Sequence, residues 1–284
     1  MSFEIRPLTE GFGAEVVGLD LARPLSDADF DGLRRAWFEA GVMVVRDQHL
    51  TPDQQVAFSR RFGPLIIHVM DQFLLPGHPE ILLISNMKRA DGTPVGFEDA
   101  GRYWHSDVSY VAEPALGSLL YAVEIPPEGG DTMFADMRRA FDTLPEEIRR
   151  RIAGRRARHS YARTYDRNTT VRGGRPKINE KQQANLKDAS HPMVRTVEDT
   201  GSRTLFVNPG FTFAVDDMDE AEGAALLSEL FAHSTQPELI YVHKWRPHDL
   251  VCWDNRSVMH HATPYDPSRT RHMHRTTIQG GRPV

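Results

Sequence analysis

The chain has 284 residues, 40% hydrophobic and 26% charged, and its 34 Lys and Arg against 39 Asp and Glu give a net charge of −5. That length supports one large domain with its own core. The charge balance argues against a nucleic-acid partner, which calls for a basic stripe, and the single Cys252 excludes an intrachain disulfide or a thiolate zinc site.

No basic segment followed by an apolar stretch opens the sequence, and no apolar run approaches the roughly 18 residues of a membrane span, so a cytoplasmic chain without a membrane partner is expected. Ser26 precedes Phe30, Leu33 and Trp37 at helical spacing and Gly41 follows, which predicts a helix over Asp27–Ala40. Val42–Val45 reads as a buried strand. Thr51 as a cap and Pro52 at the first helical position predict a second helix, running to Phe62 before Gly63-Pro64 breaks it. Strands are expected at residues 81–85 and 116–125, the latter closed by Pro126-Pro127-Glu128-Gly129-Gly130. Pro145 opens a helix through Ile152. Residues 164–190 are polar and long for a loop, which predicts a lid or an exposed excursion. A helix is expected over residues 218–233 with Ala221, Ala224, Leu227, Leu230 and Phe231 inward, then strands at 240–245, 250–253 and 270–278. With no internal repeat and no linker, the pattern predicts a mostly β single domain, a sandwich or barrel carrying helices on its outside.

His105-Ser106-Asp107 puts an imidazole and a carboxylate two residues apart, so an extended segment turns both to one face, where they can share a metal. Alone the pair is weak evidence, since short His-x-Asp combinations occur by chance. The far end of the chain strengthens it: after the 250–253 strand come Asp254-Asn255-Arg256 and then His260, able to complete a face of two histidines and one carboxylate. Such a triad suits Fe(II), because it leaves positions open for an oxidant and a cosubstrate. His261 adjoins His260, and strand alternation allows at most one of the two to be the ligand. Further on, Arg271, Met273, Arg275 and Thr277 share a face of the last strand. Two inward arginines call for anions to meet them, and a planar guanidinium grips a carboxylate or sulfonate through paired hydrogen bonds.

These residues sit in a longer pattern that resembles the taurine and 2,4-dichlorophenoxyacetate dioxygenases, enzymes dependent on Fe(II) and 2-oxoglutarate. The pattern runs from Gly13-Ala14-Glu15 and Gly18-Leu19-Asp20-Leu21 through Arg61-Phe62-Gly63, Trp104-His105-Ser106-Asp107, Gly129-Gly130-Asp131-Thr132 and Phe206-Val207-Asn208 to Trp253-Asp254-Asn255-Arg256 and Met273-His274-Arg275. The resemblance implies a double-stranded β-helix, the jelly-roll related to the cupins, with flanking helices. It implies that His105, Asp107 and His260 hold Fe(II), that Arg271 anchors the distal carboxylate of 2-oxoglutarate with Thr132 as its hydroxyl partner, and that Arg275 lies by the cosubstrate and grips the acidic group of the substrate. His68 would help hold that group, and Tyr165 falls where taurine enzymes carry an aromatic pocket wall. The implied chemistry is O2-dependent hydroxylation of a small acidic substrate, with cleavage where the hydroxylated carbon bears sulfonate or ether oxygen. Homo-oligomers are common in the family.

Two departures bear on the substrate. Asp71 replaces a tyrosine and Gly101 an asparagine at positions that contact the amine in taurine enzymes, which speaks against taurine itself. Phe206 to Phe211 leans toward the sulfonate branch and residues 130–138 toward the aryloxyacetate branch. Two rivals to an oxygenase are a non-catalytic cupin-like module that binds a metal or an organic acid, and a hydrolase that uses the triad to activate water.

Overall fold

The structure, a computed structural model, describes residues 2–165, 178–180 and 187–284, so most of the lid expected over residues 164–190 lies outside the described residues. The larger sheet has eight strands in the spatial order Glu4–Pro7, Ala14–Val17, Val42–Val45, Leu250–Asp254, Ala115–Glu124, His272–Gln279, His78–Ser85 and Leu74–Leu75. Neighbours are antiparallel except Ala14–Val17 with Val42–Val45, which run parallel. A second sheet, Ile240–His243, Thr132–Asp136 and Val258–Ala262, packs on it. A third places Arg156–His159 between Thr212–Val215 and Ala189–Pro192, and Val194–Val197 pairs with Ser202–Leu205.

Alternation along the strands builds three layers of core. Val42, Val44, Leu120, Ala122, Val251 and Trp253 point into the space between the sheets, where they meet Phe134, Val258 and Phe211. Their neighbours Met43, Val45, Leu119, Tyr121, Leu250 and Cys252 point the other way, onto the helix Asp27–Ala40 through Phe30, Leu33 and Trp37 and onto Phe58 of the helix Pro52–Arg60. A strand covered on both faces has no reason to alternate polar and apolar residues, which is why Val-Met-Val-Val reads as continuous. Outside the small sheet, Ala135 and Met259 pack on the helices Met137–Asp142, Glu146–Ile152 and Glu220–Ser234. The result is a double-stranded β-helix with helices on its outer faces.

Caps explain where the helices begin. Ser26 Oγ accepts the Asp29 N–H at 3.1 Å, and Thr51 and Gln54 form a reciprocal capping box. Several boundaries differ from expectation. The helix at residue 52 ends at Arg60, two residues early, and Pro145 caps its helix from outside rather than starting it. The last helix starts at Glu220 because Asp219 Oδ1 accepts the N–H groups of Ala221 and Glu222. Its buried stripe is Gly223, Leu226, Leu227, Leu230 and Ser234, so Ala221 and Ala224 face solvent rather than the core. The last strand starts at His272.

Behind the site lies a buried pair of imidazoles, His159 and His191, with ring centroids 5.2 Å apart. Burial pushes His159 well below its usual pKa and His191 down to about 4, so both stay neutral where an exposed histidine would be charged. Below about pH 6.5 the unfolded chain takes up protons that these two positions refuse, so stability is full above that pH and falls as pH drops toward 4. Each contributes up to about 1.4 kcal/mol per pH unit in that window. Urea midpoints of the metal-free protein are therefore expected to fall between pH 7.5 and 5.5, and an unchanged midpoint would refute the assignment. Among the described residues no helix is long and apolar enough to cross a membrane.

Candidate active site

The segment carrying His105 bridges the strand Val258–Ala262: the His105 N–H donates to the His260 carbonyl at 3.1 Å, and the His260 N–H returns the bond at 2.8 Å. Residues that exchange both bonds lie directly opposite each other, and the two rings meet with centroids 4.0 Å apart. Asp107 joins them from two residues along. Its Oδ1 is 3.6 Å from His105 Nε2 and its Oδ2 is 3.7 Å from His260 Nε2. One donor atom from each of the three lies within 4.8 Å of the others, and all three side chains are buried. His261, left open by the sequence, turns away to pack its ring 5.5 Å from that of Trp104.

The surroundings prepare these donors. The Tyr103 carbonyl can only accept, so His105 Nδ1 carries the proton at 2.9 Å and Nε2 keeps its lone pair for the shared space. Burial holds His260 well below its usual pKa, so its ring is neutral. Burial opposes charge on Asp107, yet the Arg275 guanidinium outweighs it and keeps the carboxyl well below the usual range. Arg275 Nη1 donates to Oδ1 at 2.8 Å and Ser118 Oγ to Oδ2 at 2.7 Å. Asn255 ties the group together: its Oδ1 accepts the Asp107 N–H and the Trp253 indole, both at 3.0 Å, and its Nδ2 donates to Ser118 Oγ at 3.2 Å. Two imidazoles and one carboxylate, buried and held from behind, fit a divalent transition metal. Asn255→Ala is expected to weaken metal binding by roughly 10- to 100-fold, as loss of such a support does elsewhere. Competition with a metallochromic chelator reads this, and an unchanged affinity would remove Asn255 from the site.

Arg271 and Arg275 both face the core, as the alternation predicts, and share a cavity with Thr132, His260, Trp253 and Ala262. Arg271 is 5% exposed, its Nε has no partner among the described residues, and its Nη2 reaches only the Gly130 carbonyl at 3.3 Å. Burial pushes the guanidinium down to about 10, with Tyr265 and Asp131 opposing the shift only in part. Its backbone is set by Asn86, whose Oδ1 accepts the Arg271 N–H while its Nδ2 holds the carbonyls of Pro267 and Arg269. Gly130 is at φ +68°, and a Cβ there would come within 3.1 Å of Arg271 Nε, so the close approach requires glycine. A buried guanidinium with an open donor beside a cavity is what a carboxylate ligand would complete.

A second cavity lies on the other side of the triad, walled by Phe97, Tyr103, Val108, Tyr110, Tyr161 and Phe211, with His68, Gly101 and Arg275 also on it. His68 Nδ1 accepts the Met70 N–H at 3.2 Å, which leaves the proton on Nε2, and burial together with Arg275 pushes its pKa down to about 3, so it is a neutral donor. Val108 holds φ +57°, a strained value for a β-branched residue, and the adjacent Ser109 is anchored by Asn208 Nδ2 at 3.0 Å and His159 Nδ1 at 3.2 Å. Asn208 Oδ1 also accepts the Phe211 N–H, so one amide ties two walls together.

Of the residues expected at the site, the structure brings His105, Asp107, His260, Thr132, Arg271, Arg275 and His68 together. It does not bring Asp71, which is exposed at the start of the short turn Asp71–Phe73. Tyr165 packs its ring 5.3 Å from that of Tyr161, and it is Tyr161 that lines the cavity. Ser118, Tyr161 and Phe211 were not singled out, because no local spacing marks them. Asn255 was visible only as part of a recurring block.

The model of the taurine catabolism dioxygenase TauD, TfdA family matches residues 4–277. The alpha-ketoglutarate-dependent 2,4-dichlorophenoxyacetate dioxygenase of Cupriavidus pinatubonensis is 37% identical over 98% of this chain and 98% of its own. The (S)-phenoxypropionate/alpha-ketoglutarate-dioxygenase of Sphingobium herbicidovorans is 36% identical over 98% and 96%. Among solved structures, AAD-2 in complex with Mn(II) and N-oxalylglycine superposes with a TM-score of 0.82 at 34% identity, covering 100% of this chain and 99% of the other. The chain belongs to the taurine catabolism dioxygenase TauD, TfdA family, and with it to the 2-oxoglutarate-dependent dioxygenases.

Proposed function

We propose that the protein is an Fe(II)-dependent oxygenase that hydroxylates a small organic acid, carboxylate or sulfonate, with an aromatic or otherwise apolar body and no cationic group. The observation that carries this is the buried His105–Asp107–His260 cluster with the open guanidinium of Arg271 facing a cavity on one side and an aromatic cavity on the other. His105, Asp107 and His260 would hold the metal, and Arg271 with Thr132 the distal carboxylate of 2-oxoglutarate. Metal and cosubstrate supply the oxidising chemistry when bound, O2-dependent decarboxylation to succinate coupled to hydroxylation of a substrate carbon. The protein's part is placement and exclusion of water.

Arg275 and the neutral His68 mark one end of the aromatic cavity as the seat of the acid group. The only carboxylate on the described lining is Asp107, already bonded to Arg275 and Ser118, so a substrate ammonium would find no free anion there. That disfavours taurine and favours aryloxyalkanoates or aryl and alkyl sulfonates, in keeping with relatives that act on phenoxyalkanoates. Succinate release across these classes, with taurine in the same panel, tests the reading. An aryloxyalkanoate or apolar sulfonate should be turned over with KM at least tenfold below that of taurine, and taurine as the best substrate would refute it. Arg275→Ala should raise KM for the acid roughly 30-fold or more, about 2 kcal/mol for a buried charge pair; an unchanged KM would remove Arg275 from that role. The non-catalytic reading is set aside, since the relatives matched over their full length are enzymes.

A further inference from the structure

Thr132 lines the Arg271 cavity, is 3% exposed, and makes one side-chain hydrogen bond among the described residues: its Oγ accepts the indole N–H of Trp245 at 3.0 Å. An indole N–H only donates, whereas a hydroxyl has one proton to give and two lone pairs to receive with. With the indole on a lone pair, the hydroxyl proton cannot point at Trp245, and no described residue accepts it. The open direction is the cavity.

Trp245 is not free to turn away. Its ring stands edge-on to that of His243, with centroids 4.6 Å apart at 86°. His243 is itself buried and held at both nitrogens, Nδ1 by the Tyr241 hydroxyl at 3.1 Å and Nε2 by Asp249 Oδ2 at 3.2 Å. Asp249 is locked in turn by Arg46 Nη1 at 2.7 Å and the Arg246 N–H at 2.9 Å. His243 lies opposite Thr132 in the strand register, so this chain of contacts ends at the hydroxyl it orients.

We propose that Trp245 is a positioning residue for the cosubstrate: by filling an acceptor site on Thr132 it commits the hydroxyl to donate, and so sets Thr132 beside Arg271 as a directed donor to a carboxylate. The inference rests on the reading of this cavity as the seat of 2-oxoglutarate. A hydroxyl with no fixed donor behind it would spend part of its time turned to other partners, and binding would weaken although nothing that touches the ligand had changed.

The test is a double-mutant cycle, read as the affinity of Mn(II)-loaded protein for 2-oxoglutarate by calorimetry. Thr132→Val should weaken binding about tenfold or more, as loss of a bond to a charged group does. Trp245→Phe should weaken it about fivefold, the scale of one neutral hydrogen bond. The double variant should bind within twofold of Thr132→Val alone, because the indole has no hydroxyl left to orient. Thr132→Ser, which keeps the hydroxyl, should keep the sensitivity to Trp245→Phe. A purely structural Trp245 would give penalties that multiply in the double variant, and that result, or wild-type affinity in Trp245→Phe, overturns the proposal. If Trp245→Phe does not fold, β-(3-benzothienyl)alanine at position 245 keeps the bicyclic shape without the N–H and reads the same cycle. Should Thr132→Val and Arg271→Ala both leave affinity unchanged, the reading of the cavity fails and the inference with it. If those two weaken binding and Trp245 does not couple to Thr132, only the inference fails.

Discussion

Asp107→Ala is expected to abolish succinate release and to lower metal affinity by at least 100-fold. The substitution removes the one anionic donor of the cluster and strands Arg275, whose Nη1 is held by that carboxylate at 2.8 Å inside the core. Breaking a buried ion pair from one side costs roughly 3–5 kcal/mol, so a lower melting temperature should accompany the loss of metal. Asp107→Asn separates the two effects. It keeps the volume and a carbonyl for the Ser118 hydroxyl, so it should fold better than the alanine variant and still bind metal poorly. Metal content after dialysis and turnover in excess Fe(II) are the measurements. Wild-type metal affinity in either variant would dissolve the proposed centre.

For Arg271→Ala, the expected result is a rise of roughly 30- to 5,000-fold in the 2-oxoglutarate dissociation constant, with metal affinity little changed. Losing a desolvated, charge-assisted pair costs roughly 2–5 kcal/mol, part of which is the penalty of leaving the carboxylate unmatched. Here the protein offers little in compensation, since Arg271 has only the Gly130 carbonyl as a side-chain hydrogen-bond acceptor among the described residues. Arg271→Lys should recover a small part, because an ammonium supplies the charge without the paired geometry. Activity should return partly at high 2-oxoglutarate, and a KM for the cosubstrate within threefold of wild type would show that the strand face had been read wrongly.

Much of this site is legible in the sequence. The two-residue spacing of His105 and Asp107 fixes a common face on any extended segment, and the Arg271–Met273–Arg275 alternation fixes another. The capped helices at residues 27 and 52 were legible for a similar reason: Ser26 and the Thr51–Gln54 box act on N–H groups three residues away. Short strands such as Arg156–His159 and Ser202–Leu205 were not, because four polar-rich residues carry no period and gain their stability from partners far along the chain. The helix over Glu220–Ser234 was found, but which stripe faces inward depends on the packing of Leu226, Leu227 and Leu230 against Met259 and its neighbours.

The amino-acid order by itself determined which residue types were available for the chemistry, and, through periodicities of two or three to four residues, which of them share a local face. Only the tertiary structure decided that Tyr161 stands in front of Tyr165, that Asp71 stays at the surface, and that Ser118, Asn255 and Trp245 hold the site from behind. Such choices follow from contacts between distant segments, as Arg275 and Asp107 meet across 168 residues, and neighbours along the chain exert no force that could specify them.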